Sequence, residues 1–277
     1  MDFLKDANQL IKRFEDTIQQ PVTVKKGAKL YTGVDLGTAF IVLAVVDEKG
    51  QPVTGAMRYA EVVKDGLVVD YVGASRIVKE LKAEVEEKLG MELETAAAAY
   101  PPGTVGGDRK AIQYVAEGAG FDVIALIDEP TAANQVLGIV NGAVVDIGGG
   151  TTGVAILKEG EVVYIADEPT GGTHFSLVVA GAYGIPFEEA EKLKTNPVRQ
   201  KELFPVLKPV MEKVASIVGR HIQKFHVDNL FLAGGTSCFP GIETIMQKET
   251  GIPTWKPDNP FLVTPMGIAL SAQRRGG

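Results

Sequence analysis

GVDLGT at residues 33–38 and VVDIGGGT at residues 144–151 are built alike. In each, a β-rich apolar run ends in an aspartate, a Gly-rich turn carrying threonine follows, and a second apolar run begins: FIVLAVV from Phe40 and GVAIL from Gly153. Gly37, Gly148, Gly149 and Gly150 let the turn adopt positive φ and let backbone N–H groups approach phosphate oxygens with no Cβ in the way. Thr38, Thr151 and Thr152 can add hydroxyl donors. Asp35 and Asp146 would repel phosphate, so they make sense with Mg²⁺, still carrying several waters, between carboxylate and phosphate. Taken singly, each stretch reads equally well as an ordinary hairpin turn, where Asp and Gly are common. The duplication, with matched D-x-G spacing, argues for two loops gripping a metal-bound polyphosphate from both sides.

The totals narrow the class. A chain of 277 residues, 45% hydrophobic and 23% charged, has globular composition and room for two ordinary domains. Net charge is −7 and no run of Lys or Arg exceeds two, which argues against a nucleic-acid surface. Cys238 is the single cysteine, so an intrachain disulfide is excluded, and three scattered histidines do not suggest a zinc site. The start, MDFLKDANQL, has no apolar signal core, and no apolar run approaches the ~18 residues of a membrane span, so a cytoplasmic protein is expected.

Residues 1–20 place Phe3, Ala7, Leu10, Phe14 and Ile18 on one helical face. PVTVKKGAK then breaks the pattern, which gives an amphipathic helix and linker over 1–28, outside the repeated units. Either it packs on its own domain or it docks on another protein. From Leu30 three β-like runs (31–35, 39–46, 52–59) precede a helix over about 74–89. A strand AAAAYP, a helix after Gly107, a strand DVIALI and a helix opening at Glu129 follow. Pro130 suits the first turn of that last helix. The order repeats: strands near 143–147, 152–158 and 161–166, helices between 173 and 225, strand NLFLA, a helix after Pro240, strand IPTW and a helix from Thr264. Two βββαβα halves imply an α/β protein with a ligand cleft between them.

Five segments in order, GVDLGT (33–38), IDEPTAA (127–133), VVDIGGGTT (144–152), FLAGGTSCFPGI (231–242) and TPMGIALSA (264–272), resemble the actin, sugar-kinase and DnaK-type chaperone superfamily. The resemblance covers about residues 30–272. It implies two ribonuclease-H-like βββαβα domains of the actin/DnaK ATPase fold with a central nucleotide cleft. One domain would take 29–140 plus 262–277 and the other 141–261. ATP or ADP with Mg²⁺ would be the ligand. Asp35 and Asp146 would hold Mg²⁺ through water, and the phosphates would meet Gly37, Thr38, Gly148, Gly149, Gly150, Thr151 and Thr152. Glu129 would orient the attacking water, unless it only complements a helix dipole. EEAEKLK (188–194) resembles the ribose-contacting helix and nominates Glu191 and Lys194, which otherwise read as a solvated ion pair. Gly234, Gly235 and Thr236 would let the backbone lie against adenine and the α-phosphate.

The chain departs from the chaperones at three points. No residue matches the lysine that reaches the phosphates from the first domain, and KDGLVVDY (64–71) looks instead like the bacterial actins. Cys238, read as a small packing residue, stands where an arginine stacks on adenine, and Phe261 replaces the acidic residue after the NP pair. His174 follows the second GG turn, where it either faces the cleft or, as expected, starts a helix with its side chain satisfied. The leading helix and the phrases AAAYPPGT (97–104), ADEPTGGTHFSL (166–177) and LFPVLKPVMEKVASIVGRHI (203–222) are similar to a chaperone-like family of ethanolamine-utilisation proteins, encoded in operons for a bacterial microcompartment. The resemblance implies a slow ATPase acting as a conformational switch. Its partners would be ethanolamine-utilisation enzymes or microcompartment proteins, in the cytoplasm or at that compartment. An actin-like scaffold that assembles with ATP and a small-molecule kinase of the same superfamily stay open as alternatives.

Overall fold

The computed structural model describes residues 3–277; Met1 and Asp2, the first two of the 1–28 segment, lie outside the described residues. After α1 (Lys5–Gln19), the first half runs β1 (Leu30–Leu36), β2 (Phe40–Asp47), β3 (Pro52–Tyr59), the hairpin β4 (Val63–Lys64) and β5 (Leu67–Val68), α2 (Tyr71–Leu89), β6 (Thr95–Tyr100), α3 (Gly106–Gly118), β7 (Asp122–Asp128) and α4 (Glu129–Leu137). The second runs β8 (Gly142–Ile147), β9 (Thr152–Lys158), β10 (Glu161–Glu168), α5 (Gly172–Tyr183), α6 (Phe187–Thr195), α7 (Gln200–Ile222), β11 (Leu230–Ala233), α8 (Ile242–Thr250), β12 (Thr254–Trp255) and α9 (Val263–Gly276). Helix α2 starts three residues before the expected Ala74, because the Asp70 carboxylate caps it by accepting from the Gly73 N–H. Among the described residues no helix is long and apolar enough to cross a membrane.

Both halves build the same sheet. The strand orders are β3-β2-β1-β6-β7 and β10-β9-β8-β11-β12, with the first three strands antiparallel and the rest parallel. The central strands β1 and β8 read as nearly continuous apolar runs because each is covered on both faces. On one face the first sheet packs under α2 and α3, and the second under α5 to α8. The inner faces share a third core built around α4 and α9.

Those two helices exchange sides. Helix α4 follows the first sheet yet packs on β8, β9 and β11, whereas α9 follows the second sheet and packs on β1, β2 and β6. They cross at Gly267, where an added Cβ would lie 1.9 Å from the Ala132 carbonyl oxygen, so the crossing needs glycine.

Helix α1 corrects one expectation and selects between the two readings of its role. Its buried side is Leu4, Ala7, Ile11 and Phe14; Leu10 and Ile18 are half-buried and Phe3 is exposed. The apolar stripe is thus rotated from the expected face. Thr17 can join it because its hydroxyl donates to the Phe14 carbonyl at 2.8 Å. The helix is also no free appendage. Phe14 is fully buried against β3 at Gly55, a contribution of ~2–3 kcal/mol, and the Asn8 Oδ1 accepts from the Asp258 N–H at 3.0 Å. Packing on its own chain occupies the face a docking helix would have to offer.

Candidate functional site

The second glycine-rich loop is fastened from behind. The Gly148 N–H donates to the Thr151 carbonyl at 2.9 Å and closes the turn between β8 and β9. The Gly148 carbonyl accepts from the Gly172 N–H at 3.0 Å and from the Thr236 hydroxyl at 2.7 Å, and the Gly149 carbonyl accepts from the Thr173 N–H at 2.8 Å. With the carbonyls pinned back, the N–H groups of Gly149 and Gly150 find no acceptor among the described residues. The expected positive φ is absent at Gly37, Gly148, Gly149 and Gly150, so the loop is shaped by these bonds from behind, and its two unpaired donors are left available to an anion. Thr151 lines the cleft, whereas the Thr152 hydroxyl is fully buried and donates to the Thr170 carbonyl at 2.7 Å. Thr152 therefore corrects the expectation of a phosphate contact: it supports the loop.

Opposite it, Gly37 and Thr38 turn between β1 and β2. A Cβ on Gly150 would lie 2.8 Å from Thr38 Oγ1, so the two loops face each other at contact distance and only a hydrogen fits between them. Asp35 ends β1 and Asp146 ends β8. Asp146 is 5% exposed and accepts a hydrogen bond from the Thr264 hydroxyl at the start of α9. Glu129 opens α4, whose first turn is set by the Asp128 carboxylate accepting from the Thr131 N–H at 3.0 Å and by Pro130.

These carboxylates strain one another electrostatically. Burial, then the charge of Asp146, pushes Asp35 up to about 7. Burial pushes Asp146 up to about 6 against the opposing pull of the Thr264 hydroxyl. Glu129 is raised well above the usual range by burial, then by Asp146 and Asp35. Carboxyls whose charged form is disfavoured in this way are what a cation would favour in the charged form. The donor set is hard oxygen, which fits Mg²⁺. No group of three His, Cys, Asp or Glu among the described residues is placed to hold a metal directly, so such a cation would draw its other ligands from water and phosphate.

Sequence reasoning missed Asp167. It sits on β10 directly opposite Gly153 of β9, with Oδ1 buried and unpartnered, and burial raises it to about 7 while the Thr151 hydroxyl works against the rise. Its signal, an Asp-Glu pair ending a strand, is indistinguishable from a turn.

At the other end of a cleft of about 670 Å³ lie Glu191, Lys194, Gly234, Gly235 and Thr236. Lys194 and Glu191 pair at 2.7 Å with side chains only 12% and 16% exposed, which removes the solvated-pair alternative. Lys194 also donates to the Gly172 carbonyl at 3.0 Å, and Ser176 donates to Glu191, so the pair ties α6 to α5. Phe40 meets Tyr59 edge-on at 5.6 Å and Phe261 at 5.5 Å, an aromatic cluster along the same wall. Nothing in the spacing of Phe40 or Tyr59 marks them as cleft residues. Two smaller expectations are corrected: Cys238 is exposed in the cleft rather than packed, and the His174 Nδ1 is buried without a partner among the described residues.

Comparison with known proteins places the fold and the family. The sequence profile described as Type IV pilus assembly protein PilM matches residues 122–269, and that of MreB/Mbl protein matches residues 42–181. The chain is 44% identical over 247 residues to the ethanolamine utilization protein EutJ of Salmonella typhimurium, covering 89% of this chain and 87% of that one. The crystal structure of EutJ from Carboxydothermus hydrogenoformans superposes with a TM-score of 0.90 at 47% identity, covering 98% of this chain and 99% of the other. MreB5 of Spiroplasma citri, solved with ADP and with AMPPNP, superposes with TM-scores of 0.68 and 0.69 at 18% identity, over 86% of this chain and 94% of that one. The fold is therefore that of actin, MreB and Hsp70. At this identity and coverage, the chain belongs to the EutJ family of ethanolamine utilization proteins.

Proposed function

We propose that the cleft binds ATP with Mg²⁺, that hydrolysis is slow, and that the two bound states make the chain a chaperone-like conformational switch in ethanolamine utilisation. The observation that supports this most is the pair of unpaired N–H donors at Gly149 and Gly150 in the same cleft as carboxylates whose burial calls for a cation. Asp35 and Asp146 would hold Mg²⁺ through water, and Gly37, Thr38 and Gly148 to Thr151 would cradle the phosphates. Glu191, Lys194 and Gly234 to Thr236 line the nucleoside end. When bound, Mg²⁺ would neutralise charge on the phosphates and draw protons off the carboxylates. Glu129 then orients the water that attacks the terminal phosphorus as the bond to ADP breaks.

The two-half fold supports a switch. The units 29–140 plus 262–277 and 141–261 carry one loop each, and the α4–α9 crossing is the pivot between them. Only a closed cleft offers both loops at once, so nucleotide favours closure. Nucleotide in the related MreB5 fold and the name of the EutJ relatives support the ligand and the pathway. Partners would be ethanolamine-utilisation enzymes or microcompartment proteins. One observation favours a second reading, ATP-driven actin-like assembly: the edge strand β10 exposes Val162 and Val163 at 39% and 50%. Sedimentation with and without ATP separates the two.

Calorimetric titration with ATP, ADP and GTP, with and without Mg²⁺, tests the binding. Glu129→Ala is expected to keep ATP affinity and lower hydrolysis by ~100-fold or more. Absence of Mg²⁺-dependent heat with every nucleotide would overturn the proposal, and an unchanged hydrolysis rate would remove Glu129 from it.

A further inference from the structure

The cleft is acidic where an anion would have to sit. Asp35, Glu129 and Asp146 line its phosphate end, and Asp167 stands behind Thr151. A bound cation offsets part of that charge, but phosphate sites are commonly completed by a side-chain cation that reaches the outer oxygens. Among the described residues lining the cleft the two cations are Lys64 and Lys194. Lys194 is held by the Glu191 carboxylate and the Gly172 carbonyl. Lys64 pairs with no carboxylate among the described residues.

Lys64 is placed by a local device that sequence reasoning read only as a family resemblance. In the β4–β5 hairpin Val63 pairs with Val68 and Lys64 with Leu67, leaving Asp65-Gly66 as a two-residue turn with φ of 49° and 76°. Positive φ at both central positions is the type that matches the twist of a tight hairpin, and Asp-Gly is a favoured sequence for it. The hairpin is anchored at its base, where the Val62 carbonyl accepts from the Val69 N–H at 2.9 Å. Its tip is wedged between the halves. An added Cβ on Gly66 would lie 2.4 Å from Pro101 Cγ, and one on Gly150 would lie 2.9 Å from the Asp65 Cα and N. The tip thus rests on the second glycine-rich loop at the point where Thr38 of the first loop also meets it.

We propose that Lys64 is the cationic phosphate contact of this cleft, carried over Gly150 by the β4–β5 hairpin, and that it distinguishes a nucleoside triphosphate from a diphosphate. The proposal rests on the nucleotide reading above. Lys64 belongs to the first half and Gly150 to the second, so the contact forms across the cleft. It joins at the junction of the two loops rather than beside Glu191 and Gly235, and therefore acts on the outermost phosphate. A triphosphate then engages the Lys64 ammonium above the loop on which the hairpin already rests; a diphosphate leaves it in water.

The test compares binding of Mg²⁺ complexes of AMPPNP and ADP by calorimetry in the full chain and in Lys64→Met and Lys64→Arg. Met keeps the aliphatic stem, and the exposed position keeps the fold intact, which thermal unfolding verifies. Lys64→Met is expected to weaken AMPPNP by ~10-fold and ADP by less than ~2-fold, as for one charge-assisted hydrogen bond. Lys64→Arg is expected to retain most of the preference, and the salt dependence of AMPPNP binding should flatten in Lys64→Met. A parent protein that binds both nucleotides while Lys64→Met leaves their affinity ratio unchanged overturns the role of Lys64 alone. A parent protein that binds neither overturns the nucleotide reading and this inference with it.

Discussion

The two glycine-rich loops are near-copies in sequence and unequal in structure. Around Gly148 and Gly149 two carbonyls accept three hydrogen bonds from α5 and from Thr236, and the neighbouring Asp146 receives the Thr264 hydroxyl. Around Gly37 the fixed point is the Ala39 carbonyl, which accepts from the Ala60 N–H at 3.0 Å, and Asp35 receives no side-chain hydrogen bond among the described residues. The second loop is a preorganised cradle; the first is its adjustable counterpart. A clamp needs that asymmetry, since a rigid pair could not admit its ligand and a loose pair would lose much of its binding energy in ordering. Thr264 adds a coupling: its helix rests on the first sheet while its hydroxyl steadies a carboxylate of the second.

The largest effect should separate the two aspartates. Asp146→Asn is expected to weaken Mg²⁺-dependent ATP binding by ~100-fold and Asp35→Asn by ~10-fold, measured by calorimetry over a Mg²⁺ titration. Equal losses would break the contrast between fixed and adjustable loops. A smaller effect should come from the support alone. Thr264→Val keeps the shape at the start of α9 and removes the hydroxyl, and should cost ~10-fold in Mg²⁺ dependence while leaving Mg²⁺-free binding little changed. If Thr264→Val behaves like the parent, the orientation of Asp146 comes from packing.

The smallest expected effect is on stability as pH changes. Asp35 and Asp146 sit at about 7 and about 6, above their unfolded value of 3.8. The folded protein therefore holds protons that the unfolded chain has released, so their contribution is fully present below pH 4 and is lost as pH rises through 6 to 7. Without nucleotide the melting temperature should fall by roughly 3–6 °C between pH 5 and pH 8. Mg²⁺ with ATP should flatten that slope, because a cation favours the charged carboxylates. A nucleotide-free melting temperature that rises over this range would contradict the buried, mutually repelling arrangement.

The elements were legible wherever a local rule acts alone. The D-x-G loops after β1 and β8, the apolar central strands, and Glu129-Pro130 at a helix start all stand where the pattern places them. The start of α2 was missed because its cap, Asp70, looks like part of the preceding turn. The stripe on α1 was misread because Phe3 and Leu4 are adjacent apolar residues, and which one is buried depends on what the helix packs against. Thr152 and Thr151 have the same chemistry and neighbouring positions. Packing takes the Thr152 hydroxyl to the Thr170 carbonyl and the Thr151 hydroxyl to Asp167 on β10, and only Thr151 lines the cleft. Asp167, Lys64, Phe40 and Tyr59 carried no signal, since each joins the site only through a strand pairing or a hairpin fold.

Sequence by itself determined that this chain folds as two similar halves with an aspartate and a bare turn in each, because strand period, glycine and turn chemistry act within a few residues. Tertiary structure decided which loop is braced, which partner each threonine hydroxyl meets and which of the two described cleft lysines lacks a carboxylate partner. Those depend on hydrogen-bond partners such as Gly148 with Thr236 or Asp146 with Thr264, residues far apart in the chain that packing alone brings within reach.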